Sequence, residues 1–261
     1  MGAVPRRRAA ALLLAAGLAP RGAAAHVAPT VGDNNRYLKL TPLADRVRLA
    51  YTVFYGEVPG AALRAAIDTN RDGTIDPAER QAFADDLAAE LSHALDVTID
   101  GTRRAVTWSQ VVVGMASANT AAGAFSIDLI AALCFDQLRG RHAVELRDRF
   151  ALAHPGETEI RFEDSPGVTI DAARVGDDPD PGFDYKILGP APVLATPGPQ
   201  GGIALTLTAG PRARPGPDAD CARPAPPREL PIGPITGGAL LAGLVAGAAI
   251  VRARRSRSAA R

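Results

Sequence analysis

The stretch Asp68-Thr-Asn-Arg-Asp-Gly-Thr-Ile-Asp-Pro-Ala-Glu79 spaces oxygen-bearing residues around a single glycine. Gly73 stands at the sixth position, where a sharp backbone turn favours a residue without a Cβ atom. Oxygen donors stand at positions 1, 3, 5, 7, 9 and 12 of the stretch. The candidate ligands are Asp68, Asn70, Asp72, Thr74 (through its backbone carbonyl), Asp76 and Glu79.

This donor set predicts a bound calcium ion. Because Glu79 can supply two carboxylate oxygens, the stretch offers about seven oxygens, the number and type that Ca²⁺ prefers. Its four carboxylates would repel one another without a cation. The spacing is that of an EF-hand calcium loop. The alternative is an acidic loop that binds nothing, which explains the Asp and Gly content but not the acidic residue at position twelve.

Helical patterns flank the loop on both sides. Pro59 is suited to the first turn of a short helix that continues through Leu63 and Ile67 into the loop. Pro77 begins a second helix, which is amphipathic. Its apolar positions recur every four residues, at Phe83, Leu87, Leu91 and Leu95. We therefore expect a helix, a loop and a second helix, as an EF-hand requires.

Alternating apolar and polar residues elsewhere predict strands. Arg36–Thr41 and Arg46–Tyr55 alternate in this way, and Val97–Asp100 with Arg103–Trp108 indicates a hairpin through an Asp-Gly turn. Further strands are expected at Gln110–Ala116, Phe125–Leu133, Ala143–Arg149, Thr158–Glu163, Val168–Ala173, Phe183–Leu188 and Ile203–Thr208. The predicted fold class is α+β, an antiparallel β-sheet or sandwich body with an inserted EF-hand helix-loop-helix and a C-terminal transmembrane helix.

Both ends of the chain carry targeting patterns. Residues 1–25 combine an arginine cluster, an apolar run and a small-residue cleavage pattern, which is typical of a secretory signal peptide. Residues 232–251 contain no charge and are long enough for a transmembrane helix. The arginines of the tail, 252–261, place that tail in the cytoplasm. We expect a single-pass protein of the cell envelope, with an extracytoplasmic domain at 26–209 and a Pro-rich linker at 210–231.

The net charge of the central part of the chain argues against one class of partner. Residues 26–210 carry 25 acidic against 16 basic side chains, a net charge of −9. An acidic domain repels phosphate backbones, so a nucleic-acid role is disfavoured.

The cysteines and histidines add no clear second site. Export permits a disulfide, but Cys134 lies in an apolar stretch and is expected to be a buried thiol, while the state of Cys221 stays open. The three histidines His93, His142 and His154 do not have the spacing of ligands to one metal. A second acidic stretch, 177–184, favours a solvated turn, and a mature N-terminal His26 could chelate a transition metal or be disordered. Because no catalytic motif is present, we expect no enzyme activity.

The N-terminal half also resembles a known group of proteins. The resemblance rests on Ala25-His26, a Tyr-x-x-Leu strand at Tyr37, Asp45–Tyr51, Glu57-Val58-Pro59 and the calcium loop. This combination is similar to extracytoplasmic EF-hand-containing domains of bacterial membrane proteins, including those that precede nickel/cobalt-exporter-like transporters. A single span cannot form a permease, so the resemblance implies at most an accessory or sensing domain. The C-terminus also resembles a sorting tail, with Cys221 as a processing site.

Together these patterns predict a membrane-anchored, exported calcium-binding protein with a structural or sensing role. The alternative is an accessory periplasmic domain for a nickel/cobalt-type metal transporter. The expected partners are the membrane, through the C-terminal helix, and an envelope or transporter protein.

Overall fold

Strands dominate the computed structural model, which describes residues 31–217 and Cys221. Eleven strands and two α-helices occur in this part of the chain. In chain order they are β1 (Asn34–Pro42), β2 (Arg46–Tyr55), α1 (Glu57–Ile67), α2 (Pro77–Ala94), β3 (Leu95–Ile99), β4 (Thr102–Arg104), β5 (Trp108–Gly114), β6 (Phe125–Cys134), β7 (Gly140–Asp148), β8 (Pro155–Phe162), β9 (Val168–Val175), β10 (Asp184–Leu188) and β11 (Ile203–Ala209). A short 3₁₀ helix, Pro192–Leu194, precedes β11.

The strands form two sheets. The first has six strands in the order β10-β8-β1-β2-β6-β5, and the second has five in the order β4-β3-β7-β11-β9. Neighbouring strands are antiparallel except for β1 and β8, which pair in parallel with Leu38 opposite Ile160. Leu38 also lies opposite Tyr51 of β2, which in turn lies opposite Leu129 of β6. This register places large side chains of three central strands on the same face.

One hydrophobic core lies on the inner faces of both sheets. Burial alternates along β6 for ten residues, as expected for a strand with one face buried. The fully buried residues of the first sheet include Leu38, Leu49, Tyr51, Ile127 and Leu129, and those of the second include Val97, Ile99, Val144, Leu146 and Leu207. The alternation in the sequence therefore corresponds to a real inner and outer face.

A cluster of three buried polar side chains connects the two sheets inside this core. Arg36 of β1 donates from Nη1 to Oδ2 of Asp148 of β7 at 2.8 Å, and the Tyr51 hydroxyl donates to the same oxygen at 2.8 Å. Burial raises the pKa of the Asp148 carboxyl, although the neighbouring Arg36 opposes that effect. Since a buried charge is costly without partners, each member of this group depends on the others.

Both helices pack against the sheets. On α2, Ala84, Leu87 and Leu91 are buried, and the indole Nε1 of Trp108 in β5 donates to the Ala88 carbonyl oxygen at 2.9 Å. The rings of Phe83, Tyr55 and Phe125 stack or meet edge to face. The helices thus cover the sheet near β5 and β6.

The chain beyond β11 continues along the folded body. We call residues 210–217 together with Cys221 the C-terminal strap. The strap forms hydrogen bonds with the loops that precede β2 and β9. The Ala44 amide donates to the Arg214 carbonyl at 3.0 Å, and the Gly210 amide donates to the Gly167 carbonyl at 2.9 Å. Ala213 is buried. The compact unit therefore extends to Cys221, past residue 209, the boundary expected from composition.

The predicted fold class is wrong. The described chain is mostly β, with two sheets and only two helices, rather than α+β. An inserted EF-hand helix-loop-helix is not evident, because the helices pack as parts of the β body and the loop carboxylates do not converge on one point. No helix in the described residues is long and apolar enough to cross a membrane. The predicted signal peptide and the span at 232–251 lie outside those residues.

Candidate functional site

The Asp68–Glu79 loop begins where α1 ends and reaches into the first turn of α2. Asp76 is the N-cap of α2, and its Oδ1 accepts hydrogen bonds from the amides of Ala78 at 2.7 Å and Glu79 at 2.9 Å. Glu79 Oε2 accepts in return from the Asp76 amide at 3.1 Å, which completes a capping box. Pro77 occupies the first helical turn, where its missing N–H group has no cost. The sequence Asp-Pro-Ala-Glu therefore sets the start of α2.

The first half of the loop is wound by its own side chains. Asp68 accepts from the amides of Asp72 at 3.2 Å and Gly73 at 2.9 Å. Asn70 Oδ1 accepts from the Asp72 amide, and Asp72 Oδ1 from the Thr74 amide, both at 2.8 Å. Gly73 has a φ of 85°, in the left-handed region that glycine tolerates. Hydrogen bonds from backbone amides thus hold three candidate ligands in one turn. The other carboxylate oxygen of Asp72 accepts no hydrogen bond within the described residues.

Glu79 connects the two ends of the loop. Its Oε1 accepts from the Thr69 amide at 2.8 Å, the Thr69 hydroxyl at 2.9 Å and the Asn70 amide at 3.2 Å. The Asp76 amide, followed by those of Asn70 and Thr69, lowers the pKa of the Glu79 carboxyl below its ordinary value. Glu79 is therefore ionised, and its oxygens are turned toward loop amides.

The six predicted ligands differ in exposure and do not form a compact group. Asp68 and Glu79 are buried, Asp76 is half-buried, and Asn70, Asp72 and Thr74 are exposed. Across residues 31–217, no three His, Cys, Asp or Glu side chains lie close enough together to hold a metal ion. The donor chemistry of the loop nevertheless fits Ca²⁺, since every predicted ligand is an oxygen and four of the residues are carboxylates.

A segment of the β5–β6 connection, Ser117–Ala124, pairs with the middle of this loop, and we call it the clamp segment. The Ile75 amide donates to the Ala118 carbonyl at 2.8 Å, and the Thr120 amide donates to the Gly73 carbonyl at 3.1 Å. Thr74 and Asn119 form an isolated β-bridge. Ile75 is buried in the core. The loop is therefore fixed at its centre by the β body rather than by a second loop of its own kind.

Arg64 of α1 holds the clamp segment from the other side. Its side chain is only 1% exposed. It donates from Nη1 to the Ser117 carbonyl at 2.7 Å and from Nε to the Gly123 carbonyl at 2.9 Å, with longer bonds to Asn119 and Ala124. The sequence pattern did not indicate a role for Arg64, because an arginine on a short helix is normally exposed. The available signal was its position between Leu63 and Ile67, on the apolar side of α1.

Close packing of backbones brings α1 against the clamp segment. A Cβ atom added to Gly60 would lie 2.8 Å from the Gly123 carbonyl oxygen, so only glycine fits there. Glu57, at the start of α1, accepts from the Ala124 amide at 3.2 Å. Three features of α1 therefore position the segment that pairs with the Asp68–Glu79 loop.

The cysteines are disulfide-bonded, which corrects the expected buried thiol at Cys134. Cys134, at the end of β6, is joined to Cys221 at the end of the strap. Composition suggested a linker around Cys221, and a linker cysteine has no obvious partner. The strap brings it to β6, because Gly216 is fixed nearby through its amide, which donates to Asp45 Oδ1 at 2.9 Å.

Two other candidates from the sequence, His142 and the acidic stretch 177–184, have structural roles. His142 is buried, with Nδ1 2.9 Å from Asp100 Oδ2 and Nε2 3.0 Å from the Arg139 carbonyl, and its ring stacks on Phe135. His142 is therefore not available as a metal ligand. The acidic stretch 177–184 is a turn in which Asp178 Oδ1 accepts from the Asp180 amide at 3.0 Å. His26 lies outside the described residues.

No protein-family model matches this sequence, and no curated protein matches it either.

Proposed function

We propose that this chain is an exported, membrane-anchored calcium-binding protein in which the Asp68–Glu79 loop holds one Ca²⁺. The observation that carries the proposal is the spacing of oxygen donors at Asp68, Asn70, Asp72, Thr74, Asp76 and Glu79 around Gly73. Two features of the geometry support it. Gly73 adopts the left-handed turn that this spacing requires, and loop amides orient three of the side chains.

The proposed location outside the cytoplasm has independent support. Disulfides persist in oxidising compartments and are rare in the cytosol, and the Cys134–Cys221 bond belongs to the folded body. The N-terminal signal pattern and the C-terminal span agree with that placement. Extracellular calcium modules of this kind bind in roughly the 10⁻⁴–10⁻³ M range.

The proposed role of the ion is structural or sensing. Ca²⁺ would neutralise part of the repulsion among four carboxylates and would strengthen the contact between the loop and the clamp segment. Since Ile75 and Gly73 bond directly to that segment, occupancy would be transmitted to the β5–β6 connection.

The test is thermal unfolding of the full chain with and without about 10 mM CaCl₂. For a dissociation constant in the range above, binding to the folded state alone adds about 1.4–2.7 kcal/mol, or roughly 3–10 °C in melting temperature. Asp72→Asn is the most informative variant, because the amide oxygen can still accept from Thr74 while the charge is lost. We expect this variant to reduce the shift by at least half.

Asp178→Asn is the matched control. Asp178 also accepts from the amide two residues further on and lies in an acidic turn, but it is outside the loop. It should keep the full calcium shift. A wild-type chain with no calcium-dependent shift under these conditions would refute the proposal, as would equal losses in the two variants.

The alternative, an accessory domain for a nickel/cobalt-type transporter, predicts a different result. It predicts binding of Ni²⁺ or Co²⁺ through His26, with His93 as a second candidate ligand, and this binding should be unchanged in Asp72→Asn. The described histidines give it no shared site, so a NiCl₂ titration of the same two variants separates the two proposals.

A further inference from the structure

Each sheet has two edge strands, and their protection differs. The edges are β10 and β5 in the first sheet and β4 and β9 in the second. An unpaired edge exposes backbone N–H and C=O groups that can bind another strand, and natural proteins block such pairing with charges, bulges or short strands.

Three of the four edges of these two sheets carry charged side chains. β4 has only three residues and includes Arg103 and Arg104. β10 has five residues and carries Asp184 and Lys186. β9 contains a register shift against β11, and the extra residue at that shift is the charged Asp171.

β5 also has a register shift, against β6 between Trp108 and Gln110, but the extra residue there is the uncharged Ser109. Its seven residues, Trp108–Gly114, include no charged side chain. The uncharged stretch is longer than the strand, since no Asp, Glu, Lys, Arg or His occurs from residue 105 to residue 127. Val112, in the middle of the strand, is 44% exposed. Within the described part of the chain, β5 pairs only with β6, and no backbone bond reaches its other edge.

We propose that β5 is a homodimer interface, at which the edges of two copies pair antiparallel around a two-fold axis. The backbone groups of an open edge are complementary to another strand. A two-fold contact places a patch against itself, so charged edges bring their own charges together, whereas β5 brings none. The strand is also rich in β-branched residues (Val111, Val112 and Val113), which favour cross-strand packing.

The first experiment is sedimentation of the full chain over a concentration series. Val112→Lys places two positive charges at the proposed axis, and we expect it to weaken dimerisation by about tenfold or more. Leu188→Lys is the matched control, because Leu188 is also an exposed apolar residue on an edge strand, β10, and is 74% exposed. It should leave the dimer unchanged. A chain that is monomeric at every concentration, or equal effects of both substitutions, would overturn the proposal.

A second experiment locates the contact directly. Directly opposite residues of an antiparallel pair have Cα atoms about 4.5–5.5 Å apart, within the range that a disulfide can bridge. Single cysteines introduced in turn from Ser109 to Val113 should give a disulfide-linked dimer at the position nearest the axis, and Leu188→Cys should not. Efficient cross-linking at Leu188 alone, or at none of the β5 positions, would exclude this interface even if the chain dimerises elsewhere.

Discussion

Removal of the Cys134–Cys221 disulfide is expected to destabilise the folded body strongly. The bond joins positions 87 residues apart, and closing a loop of that length removes about 4–5 kcal/mol of chain entropy from the unfolded state. Measured values are typically about 2–4 kcal/mol. The double variant Cys134→Ala/Cys221→Ala should therefore lose about 3–4 kcal/mol, or roughly 6–16 °C in melting temperature for a domain of this size.

The fluorescence of Trp108, the one tryptophan of the chain, provides the assay. Urea unfolding would be compared for the oxidised wild type, the wild type in reductant and the double variant in both conditions. The reduced wild type should match the variant, and the variant should not respond to reductant. A loss below about 1 kcal/mol would show that the hydrogen bonds of the strap at Arg214 and Gly216 hold it in place without the disulfide.

Three further predictions concern buried charged groups. Arg64→Met should lower the free energy of unfolding, measured in urea, by about 2–4 kcal/mol, because it leaves several carbonyls of the clamp segment without a donor. Calorimetry should also show weaker Ca²⁺ binding by this variant, although no proposed ligand has changed. Asp148→Asn should cost about 3–5 kcal/mol, since the buried Arg36 then lacks its counter-charge; an unchanged urea midpoint would contradict this. Burial alone would raise the pKa of Asp45, but hydrogen bonds from Arg46 and the strap lower it below its ordinary value of 3.8. Its stabilising contribution is therefore complete above that value and lost as pH falls through the lower folded-state pKa, so Asp45→Asn should make unfolding less sensitive to acid below about pH 4.

Local patterns predicted the strands well where one face is buried. The strand expected at Arg46–Tyr55 is observed with those bounds, and the one expected at Phe125–Leu133 is observed as Phe125–Cys134. In both, alternation of period two results directly from burial of one face. The fold class was nevertheless predicted wrongly as α+β, because the helix-loop-helix pattern received more weight than its share of the chain.

Pairings distant in sequence could not be predicted in this way. The parallel contact of β1 with β8 joins segments more than a hundred residues apart, for example Leu38 with Ile160, and no local pattern encodes it. The contact of the clamp segment with the Asp68–Glu79 loop could not be predicted either, because the sequence of the segment indicates only a loop of small residues. The Asp68–Glu79 loop could be recognised from sequence because its donor residues lie within twelve consecutive positions.

The residues that were hardest to predict share one property. Arg36, Arg46 and Arg64 are all nearly fully buried, although arginine is rarely buried without partners. Each lies where one part of the structure meets another: Arg36 bonds to the second sheet, Arg46 pairs with the carboxylate that binds the strap, and Arg64 bonds to the clamp segment.

A guanidinium group suits such junctions, because its five donors in one plane can satisfy acceptors from several segments at once. A lysine at the same sites would offer a single ammonium group and could not reach the same set of carbonyl and carboxylate oxygens. The β pattern therefore specifies the sheets, while buried arginines specify how the sheets, the strap and the helices join. Since Arg64 does this next to the Asp68–Glu79 loop, the same bonds that complete the fold also determine how firmly that loop is held.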